Sequence, residues 1–249
     1  MKLTKSKRII TSLIIAAMLL LSVFVLSACK DDDDPKTDEP KTIEVATEEQ
    51  LINAFAGDAN IVKLTDDILV QDTLRVTRTF VLDLNGKTIY NETPIWVDTE
   101  EIDNWSIISV GKDGNLTVTG NGTIRTLEND CYALDVVDGG KLVIENGTFV
   151  GNISAVYVFD GTAEIKGGEY SIQQLDNNYH DYRFTLNLED NNREAQTAKI
   201  IVTGGTFHNF DPANCLAEGS NTNFVAVGYT TQLKADTTDV YEVVIAPQE

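Results

Sequence analysis

The sequence LTVTGNGTI, residues 116–124, decides the fold because closely related phrases recur along the chain. The other copies are LVIENGTF at 142–149, AEIKGGEY at 163–170 and IIVTGGTF at 200–207. The steps between their turn glycines are 25, 21 and 37 residues, for Gly122, Gly147, Gly168 and Gly205. Repeats of this length are typical of one supersecondary unit that is stacked on itself. The longer third step reflects two polar insertions, at 173–182 and 189–198.

A second pattern precedes each phrase and indicates that every repeat has more than one strand. Four-residue segments with apolar second and fourth positions show the period of two that marks a half-buried strand. We name this strand A, and its inward residues are Ile108 and Val110, Leu134 and Val136, Val156 and Val158, and Leu186 and Leu188. The repeated phrase supplies strand B, whose inward residues are expected to be Leu116 and Val118, Leu142 and Ile144, Ala163 and Ile165, and Ile200 and Val202. The residue that follows each glycine turn begins a short strand C, at Ile124, Phe149, Tyr170 and Phe207.

Three short strands per repeat, with like residues above like, predict an all-β fold. The expected architecture is a single-stranded right-handed parallel β-helix solenoid, whose open ends need covers because exposed strand edges invite aggregation. A capping box at 47–50, followed by Leu51, Ile52 and Phe55 and ended by Gly57, predicts an N-terminal capping helix. Residues 224–233 and 240–246 are expected to pair as a C-terminal capping hairpin.

Two longer stretches carry a resemblance to a known family. The run IVKLTDDILVQDTLRVTRTFVLDLNGKTI, residues 61–89, resembles the opening rungs of pectate-lyase-like β-helix surface lipoproteins of gut bacteria, of the Bacteroidota type. The segment FDPANCLAEGSNTNFVAVGY, residues 210–229, is similar to the closing segment of many of them. The resemblance covers residues 45–244 and implies the fold. It does not imply one activity, because that fold carries lyases, hydrolases, adhesins and inert stalks.

The first 28 residues have the pattern of an export signal. A basic start precedes an apolar core at 9–26 and the small-residue tetrapeptide Leu26-Ser27-Ala28-Cys29. That tetrapeptide resembles the bacterial lipobox, which implies lipidation of Cys29. A membrane-spanning helix is the alternative, but the core is short and contains polar residues. We therefore expect a lipoprotein signal peptide at 1–28, a lipidated disordered acidic tether at 29–42 and a folded β-helix domain with its caps at 43–249.

The segment after Cys29 predicts where the protein is displayed. Residues 30–42, KDDDDPKTDEPKT, contain no large apolar side chain and cannot bury surface. Their acidic beginning is similar to the signal that sends Bacteroidota lipoproteins to the outer face of the outer membrane, although a solvated spacer would have the same composition. The expected location is the outer membrane, with the lipid-anchored domain facing the cell exterior.

Composition limits the partners. The chain has 39 acidic and 19 basic residues, a formal net charge of −20, which repels nucleic acid and anionic lipid head groups. We expect a monomer that binds a polysaccharide or a host or bacterial surface protein and touches the membrane only through its lipid anchor. Cys131 and Cys215 lie far apart in the repeat order. They are expected to be unpaired, partly buried thiols, although a disulfide is possible in an exported protein.

The insertions between strands predict a binding face. Segments 91–104, 125–131 and 173–182 all connect strand C of one repeat to strand A of the next, so they should project from the same edge. Segment 189–198 leaves from the opposite edge. The outward face of strand A lies between these edges, and alternation places a ladder of side chains there: Ser109, Asp135, Tyr157 and Asn187. The expected walls of this groove carry Trp96, Trp105, Tyr132, Tyr179 and Tyr182.

Flat aromatic faces beside hydroxyl, amide and carboxylate groups suit a sugar ring, whose C–H face stacks while its hydroxyls form hydrogen bonds. The predicted ligand-binding residues are therefore Trp96, Trp105, Ser109, Asp135, Tyr157, Tyr179, Tyr182 and Asn187. The alternative is that Trp96 and Trp105 only pack their own loop onto the solenoid, as loops of this length often do.

No strong catalytic motif occurs in the sequence. A β-helix lyase needs an acid cluster for a metal and a basic residue, and a hydrolase needs two carboxylates close together. The strand A face offers Asp135, with Asp160 at a turn and Arg183 before the fourth strand. We therefore predict no catalytic residue, metal ligand or cofactor. The favoured function is binding without catalysis, and the alternatives are a polysaccharide lyase or glycoside hydrolase and a structural stalk or adhesin.

Overall fold

The structure is a computed structural model that describes residues 39–99, 103–175, 183–219 and 222–248. Residues Pro40–Glu249 form one compact unit. The described chain is mostly strand. Its helices are short: α1 at Glu48–Ala56, α2 at Asp190–Glu194 and a single 3₁₀ turn at Leu216–Glu218. The predicted signal peptide at 1–28 lies outside the described residues, and so do residues 29–38 of the predicted tether at 29–42, including Cys29.

The strands in chain order are β1 Thr42–Val45, β2 Ile61–Leu64, β3 Ile68–Leu69, β4 Leu74–Val76, β5 Thr79–Asp83, β6 Thr88–Tyr90, β7 Val97–Asp98, β8 Asp103–Asn104, β9 Ser106–Val110, β10 Asn115–Thr119, β11 Thr123–Arg125, β12 Tyr132–Val136, β13 Gly140–Ile144, β14 Thr148–Gly151, β15 Val156–Val158, β16 Gly161–Ile165, β17 Glu169–Ile172, β18 Leu186–Leu188, β19 Ala198–Val202, β20 Thr206–His208, β21 Tyr229–Leu233 and β22 Val240–Ile245.

These strands form three main sheets. Sheet A has the order β4-β9-β12-β15-β18, and sheet B has the order β1-β2-β5-β10-β13-β16-β19. Sheet C has the order β3-β6-β11-β14-β17-β20-β22-β21. Neighbouring strands are parallel throughout sheets A and B, and sheet C becomes antiparallel only at β22 and β21. The described chain is therefore all-β and largely parallel. Strands β7 and β8 form a separate two-stranded hairpin.

From β4 onward the chain visits the sheets in the repeating order A, B, C, and each set of three strands is termed a rung. The predicted stacks are in register within each sheet. Sheet A aligns Ile108, Leu134, Val156 and Leu186. Sheet B aligns Leu116, Leu142, Ala163 and Ile200, and sheet C aligns Ile124, Phe149, Tyr170 and Phe207. The predicted three strands per repeat and their inward residues are confirmed.

The inward side chains of the three sheets meet in one hydrophobic core. The core is apolar because alternation turns one side of each strand inward at every rung. Its largest feature is a stack of rings in which Phe149 and Tyr170 lie 5.3 Å apart and Tyr170 and Phe207 lie 4.8 Å apart. The buried hydroxyl of Tyr170 donates a hydrogen bond to the carbonyl of Gly167 at 2.7 Å, so the polar end of this ring is satisfied.

The helix and the hairpin that the sequence predicted are both present. Helix α1 begins at Thr47, whose Oγ1 accepts a hydrogen bond from the Gln50 amide at 3.3 Å, and ends at Gly57. Leu51 and Phe55 are buried beneath it, but Ile52 is 49% exposed, so the prediction that Ile52 shares the packed face is wrong. At the other end β21 and β22 form an antiparallel hairpin that pairs with β20. Within the described ranges, no helix has the length and apolar character needed to cross a membrane.

Candidate functional site

The outer face of sheet A carries the column of side chains that the sequence predicted. Asp135 pairs with Ser109 on one side and with Tyr157 on the other, and Tyr157 pairs with Asn187. The column begins one rung earlier than predicted, because Arg75 on β4 pairs with Ser109. Adjacent members lie about 4.8 Å apart along the stack, which is the usual spacing between strands.

Two members of this column do not face an open groove. Ser109 is 4% exposed and Asp135 is 2% exposed, so the expectation that both line an accessible surface is wrong. Tyr157 and Asn187 are half-buried, and they remain partly accessible. The lower part of the predicted groove is covered by the loop that precedes β9 and by the aromatic side chains described below.

Asp135 is therefore a buried acid. Its Oδ1, and the Oγ of Ser106 on β9, have no well-formed hydrogen bond within the described chain. Burial raises the pKa of the Asp135 carboxyl from its ordinary 3.8 to about 6, and the nearby hydroxyls of Ser109 and Ser106 and the positive charge of Arg75 oppose that rise. The cost of burying the negative charge of Asp135 is therefore only partly offset by these neighbours.

Five aromatic side chains, which we name the ring cluster, cover this part of sheet A. Its members are Trp96, Trp105, Tyr132, Tyr157 and Phe159. The ring centroids lie 5.4 Å apart for Trp96 and Tyr132, 5.0 Å for Tyr132 and Tyr157, 6.2 Å for Tyr157 and Trp105, and 5.5 Å for Trp105 and Phe159. Most pairs are tilted or edge-on, the arrangement that aromatic quadrupoles favour. Trp96 is 40% exposed and Phe159 is 36% exposed, so the cluster presents aromatic surface to solvent at both ends.

Hydrogen bonds between segments 91–104 and 125–131 fix the part of the chain that carries Trp96 of the ring cluster. The carboxylate of Asp130 accepts from the amides of Ile95, at 3.0 Å, and Trp96, at 2.9 Å. It also accepts from the Asn91 side chain at 2.6 Å, and Asn91 in turn accepts from the Leu127 amide. Segments 91–104 and 125–131 therefore share one edge, as predicted.

The other end of segment 91–104 is held against β4, the first strand of sheet A. The Arg75 guanidinium donates to Asn104 Oδ1 at 2.7 Å and to the carbonyl of Asp103 at 3.0 Å. Asn104 donates to the carboxylate of Asp72 at 2.6 Å. These contacts set the position of Trp105, whose indole Nε1 is buried without a hydrogen bond in the described chain.

Helix α2 lies at the opposite edge, where the sequence placed the fourth insertion. Its N-cap is Glu189, whose carboxylate accepts from the Asn192 amide at 2.7 Å. The Asn192 side chain donates to the carbonyl of Phe159 at 2.7 Å, which fixes the helix beside the ring cluster. The ring cluster therefore lies between an aromatic loop on one side and a polar helix on the other.

At the β18 edge of sheet A, a buried carboxylate takes the place of a further strand. Glu218 is 4% exposed, and its Oε1 accepts from the amide of Leu188 on β18 at 2.8 Å, in the place where a further strand would pair. Its Oε2 lies 3.3 Å from Nε of Arg193 on α2. Burial raises the pKa of Glu218, and the Leu188 amide and the Arg193 charge oppose the rise. This pair closes the stack and ties α2 to the 3₁₀ turn.

The structure brings together several of the predicted site residues. Trp96, Trp105 and Tyr157 join the ring cluster, Asn187 lies one strand beyond it, and Ser109 and Asp135 lie beneath it. Tyr179 and Tyr182 lie outside the described residues. Phe159 and Arg75 were not predicted. The alternation in Leu74-Arg75-Val76 could have identified Arg75 as the first outward residue of the column.

Chemically, the site offers aromatic surface with polar groups around it. Burial and the charges of Asp135 and Asp98 raise the pKa of Tyr132 to about 12, and burial also raises the pKa of Tyr157, so both hydroxyls stay protonated. Asp160 occupies a turn before β16, and Arg183 lies before β18. Among the described residues, no group of three or more His, Cys, Asp or Glu side chains is placed to hold a metal ion. Cys131 and Cys215 are buried and unpaired.

Comparison with protein-family models, with curated proteins and with solved structures found no match to this chain.

Proposed function

We propose that this chain is a cell-surface lipoprotein whose strands form a right-handed parallel β-helix and whose sheet A face binds a neutral glycan without turning it over. The observation that carries this proposal is the ring cluster, which exposes Trp96 and Phe159 on the outer face of an acidic protein. Exposed aromatic groups that adjoin one another mark binding surfaces more often than isolated ones do.

The chemistry around the ring cluster favours a sugar. Aromatic faces can stack on the C–H face of a pyranose, while the hydroxyls of Tyr132 and Tyr157 and the amide of Asn187 can exchange hydrogen bonds with its hydroxyls. The formal net charge of −20 disfavours acidic polysaccharides. Asp135 has no part in contacting the ligand in this proposal, because it is buried.

The β-helix part of the proposal rests on connectivity. The chain leaves sheet A, passes through sheets B and C, and returns to a parallel neighbour in sheet A at each rung. Such crossovers are right-handed in about 98% of cases. The resemblance to pectate-lyase-like surface lipoproteins of Bacteroidota supports the same architecture, with α1 and the C-terminal hairpin as its covers.

The location is proposed from the sequence around Cys29. The basic start, apolar core and lipobox-like tetrapeptide support acylation of Cys29 and attachment to the outer membrane, with an acidic tether that holds the domain outside. Cys29→Ala with cell fractionation tests this part. Release of the protein from the membrane fraction is expected, and retention would indicate an uncleaved helix.

A structural stalk or adhesin is the second candidate. It is favoured by the mutual packing of the five rings over Asp135, since a cluster that only seals a buried acid needs no ligand. A lyase or hydrolase would require turnover that depends on an acid of this face.

Isothermal titration calorimetry with neutral hexasaccharides (cellohexaose, mannohexaose and laminarihexaose) tests the binding proposal. Trp96→Ala should weaken binding by about 1–3 kcal/mol, or about 5- to 150-fold, if a sugar stacks on this ring. The matched control is Ile201→Ala, which removes a side chain of similar exposure, 38%, from the outer face of sheet B. Equal effects of the two variants would contradict binding at the ring cluster, and no heat with any hexasaccharide would favour the stalk. New reducing ends or unsaturated products would favour the enzyme.

A further inference from the structure

We infer that the corner between sheets B and C is a second binding site, which takes an extended neutral polysaccharide along the axis of the stack. A groove of about 500 Å³ runs along this corner, away from the ring cluster. It passes Asn121 and Asn146, crosses the glycine turns at 147, 167–168 and 205, and ends at residues 242–244 of β22. It spans four strand spacings, about 19 Å.

The groove exists because the glycine positions of the turns between strands B and C cannot carry side chains. A Cβ at Gly167 would lie 2.3 Å from the carbonyl oxygen of Glu145, which excludes every other residue. Gly168 has φ of +93° and its Cβ would lie 2.9 Å from the carbonyl oxygen of Gly147. The floor of the groove is therefore main chain, and the walls are formed by the side chains on either side of the turn.

One wall is a pair of oriented amides. Asn146 Nδ2 donates to Asn121 Oδ1 at 2.6 Å, and Asn146 Oδ1 accepts from the Gly147 amide at 2.9 Å. These contacts fix both carboxamides at the rim. In the next rung the corresponding position is Gly167, which has no side chain, so the groove is open at that height.

The other wall is an alternating column of hydroxyls and carboxylates on the outer face of sheet C. In register along the stack it contains Thr148, Glu169, Thr206 and Glu242. Each carboxylate has a basic neighbour: Glu169 Oε1 lies 2.5 Å from His208 Nε2, and Glu242 Oε1 lies 3.6 Å from Lys234 Nζ. These contacts orient both carboxylates, and Lys234 partly balances the charge of Glu242. The acidic groups along the groove disfavour an anionic ligand.

The ligand class follows from this pattern. Amides and hydroxyls both donate and accept hydrogen bonds, and carboxylates accept them, which suits a polyol. Polar side chains follow one another at the rung spacing of about 4.8 Å, and a pyranose unit of an extended glycan is similar in length to one rung. A neutral polysaccharide chain laid along the stack can therefore meet a polar side chain at each sugar, with a hydroxyl and a carboxylate alternating from one sugar to the next. This groove and the ring cluster are separate sites, and either can fail without the other.

The test is calorimetry on the full protein with a length series from cellobiose to cellohexaose and with mannohexaose. Affinity should rise with each sugar up to about four units and then level off, because the groove spans four strand spacings. Thr148→Val and Thr206→Val each remove one hydroxyl without changing the shape of the side chain, and each should weaken binding about 2- to 10-fold. Thr162→Val, on the outer face of sheet B, is the matched control and should leave binding unchanged.

Tryptophan emission separates the two sites, since both tryptophans of the chain belong to the ring cluster. Binding in the corner groove should leave the emission unchanged and should survive Trp96→Ala. The inference is overturned if no oligosaccharide of either series binds, if affinity does not depend on length, or if the two threonine variants bind as tightly as the control. Binding that is lost only with Trp96→Ala would place the glycan on the ring cluster alone and would also overturn it.

Discussion

Replacing Asp135 with asparagine should stabilise the protein at neutral pH, although the substitution removes a polar contact. Asp135 is 2% exposed, its Oδ1 has no hydrogen-bond partner in the described chain, and its pKa is raised from 3.8 to about 6. An acid with a raised pKa holds its proton more tightly in the folded state than in the unfolded state. Its contribution to stability is therefore fully present below about pH 4 and is lost as the pH rises through about 6.

The magnitude follows from the two pKa values. A difference of about two pH units corresponds to about 3 kcal/mol in the free energy of unfolding. Asparagine has nearly the shape of aspartate and cannot ionise. The stability of Asp135→Asn relative to the unchanged protein should therefore increase by about 3 kcal/mol between pH 4 and pH 7.

Urea unfolding of both proteins at a series of pH values, followed by far-ultraviolet circular dichroism, measures this difference. Circular dichroism is preferable to fluorescence here because both tryptophans belong to the ring cluster. Asp236→Asn removes the same charge from an exposed turn and serves as the control. A difference between Asp135→Asn and the unchanged protein that stays constant with pH, or a variant that is less stable at pH 7, would refute the account of Asp135 as a poorly compensated buried acid.

Three further substitutions test the packing. Val158→Asp buries an unpaired charge at a fully buried position and should cost several kcal/mol. Asn187→Asp, on the half-exposed outer side of the next strand, should cost far less. Equal losses in thermal melting would contradict the register of sheet A. Glu218→Ala removes the acceptor of the Leu188 amide and should cost about 1–3 kcal/mol in urea unfolding, whereas Glu218→Gln keeps an acceptor and should cost less. Equal costs would show that the charge beside Arg193, which both variants remove, matters more than the acceptor. Trp105→Ala should lower the melting temperature and reduce the free energy of unfolding by about 2–4 kcal/mol, because the indole packs on Tyr157 and Phe159. An unchanged melting temperature would mean that the indole does not support the aromatic side chains that cover Asp135.

The fold could be predicted from local pattern because its repeating unit is local. Alternation within four residues identifies the inward side chains of strand A, and a glycine turn separates strands B and C at each copy. Stacking like on like then fixes the register, as in the alignment of Leu134 with Val156. Ile52 shows the limit of this reasoning, since helical spacing placed it on the apolar face of α1 but it is 49% exposed at the end of the stack.

The order of the side chains along the outer face of sheet A could be predicted from the sequence, but their exposure could not. Alternation alone places Ser109, Asp135, Tyr157 and Asn187 in one column. Their burial depends on where segment 91–104 lies, and that is decided by Asp130, whose carboxylate accepts hydrogen bonds from the Ile95 and Trp96 amides, 35 and 34 residues away. No local pattern in the sequence reports such a contact. The position of Phe159 likewise depends on Asn192 in a later insertion.

Tryptophan fluorescence during a glycan titration tests the central proposal most directly, because the only two tryptophans of the chain are both in the ring cluster. If a neutral glycan binds to the outer face of sheet A, titration with cellohexaose, mannohexaose or laminarihexaose should produce a saturable change in emission with at least one of them. The midpoint of that change should move about 5- to 150-fold higher in Phe159→Ala, corresponding to a loss of about 1–3 kcal/mol. Emission that stays constant with all three glycans, or a midpoint that Phe159→Ala leaves in place, would contradict glycan binding at this face.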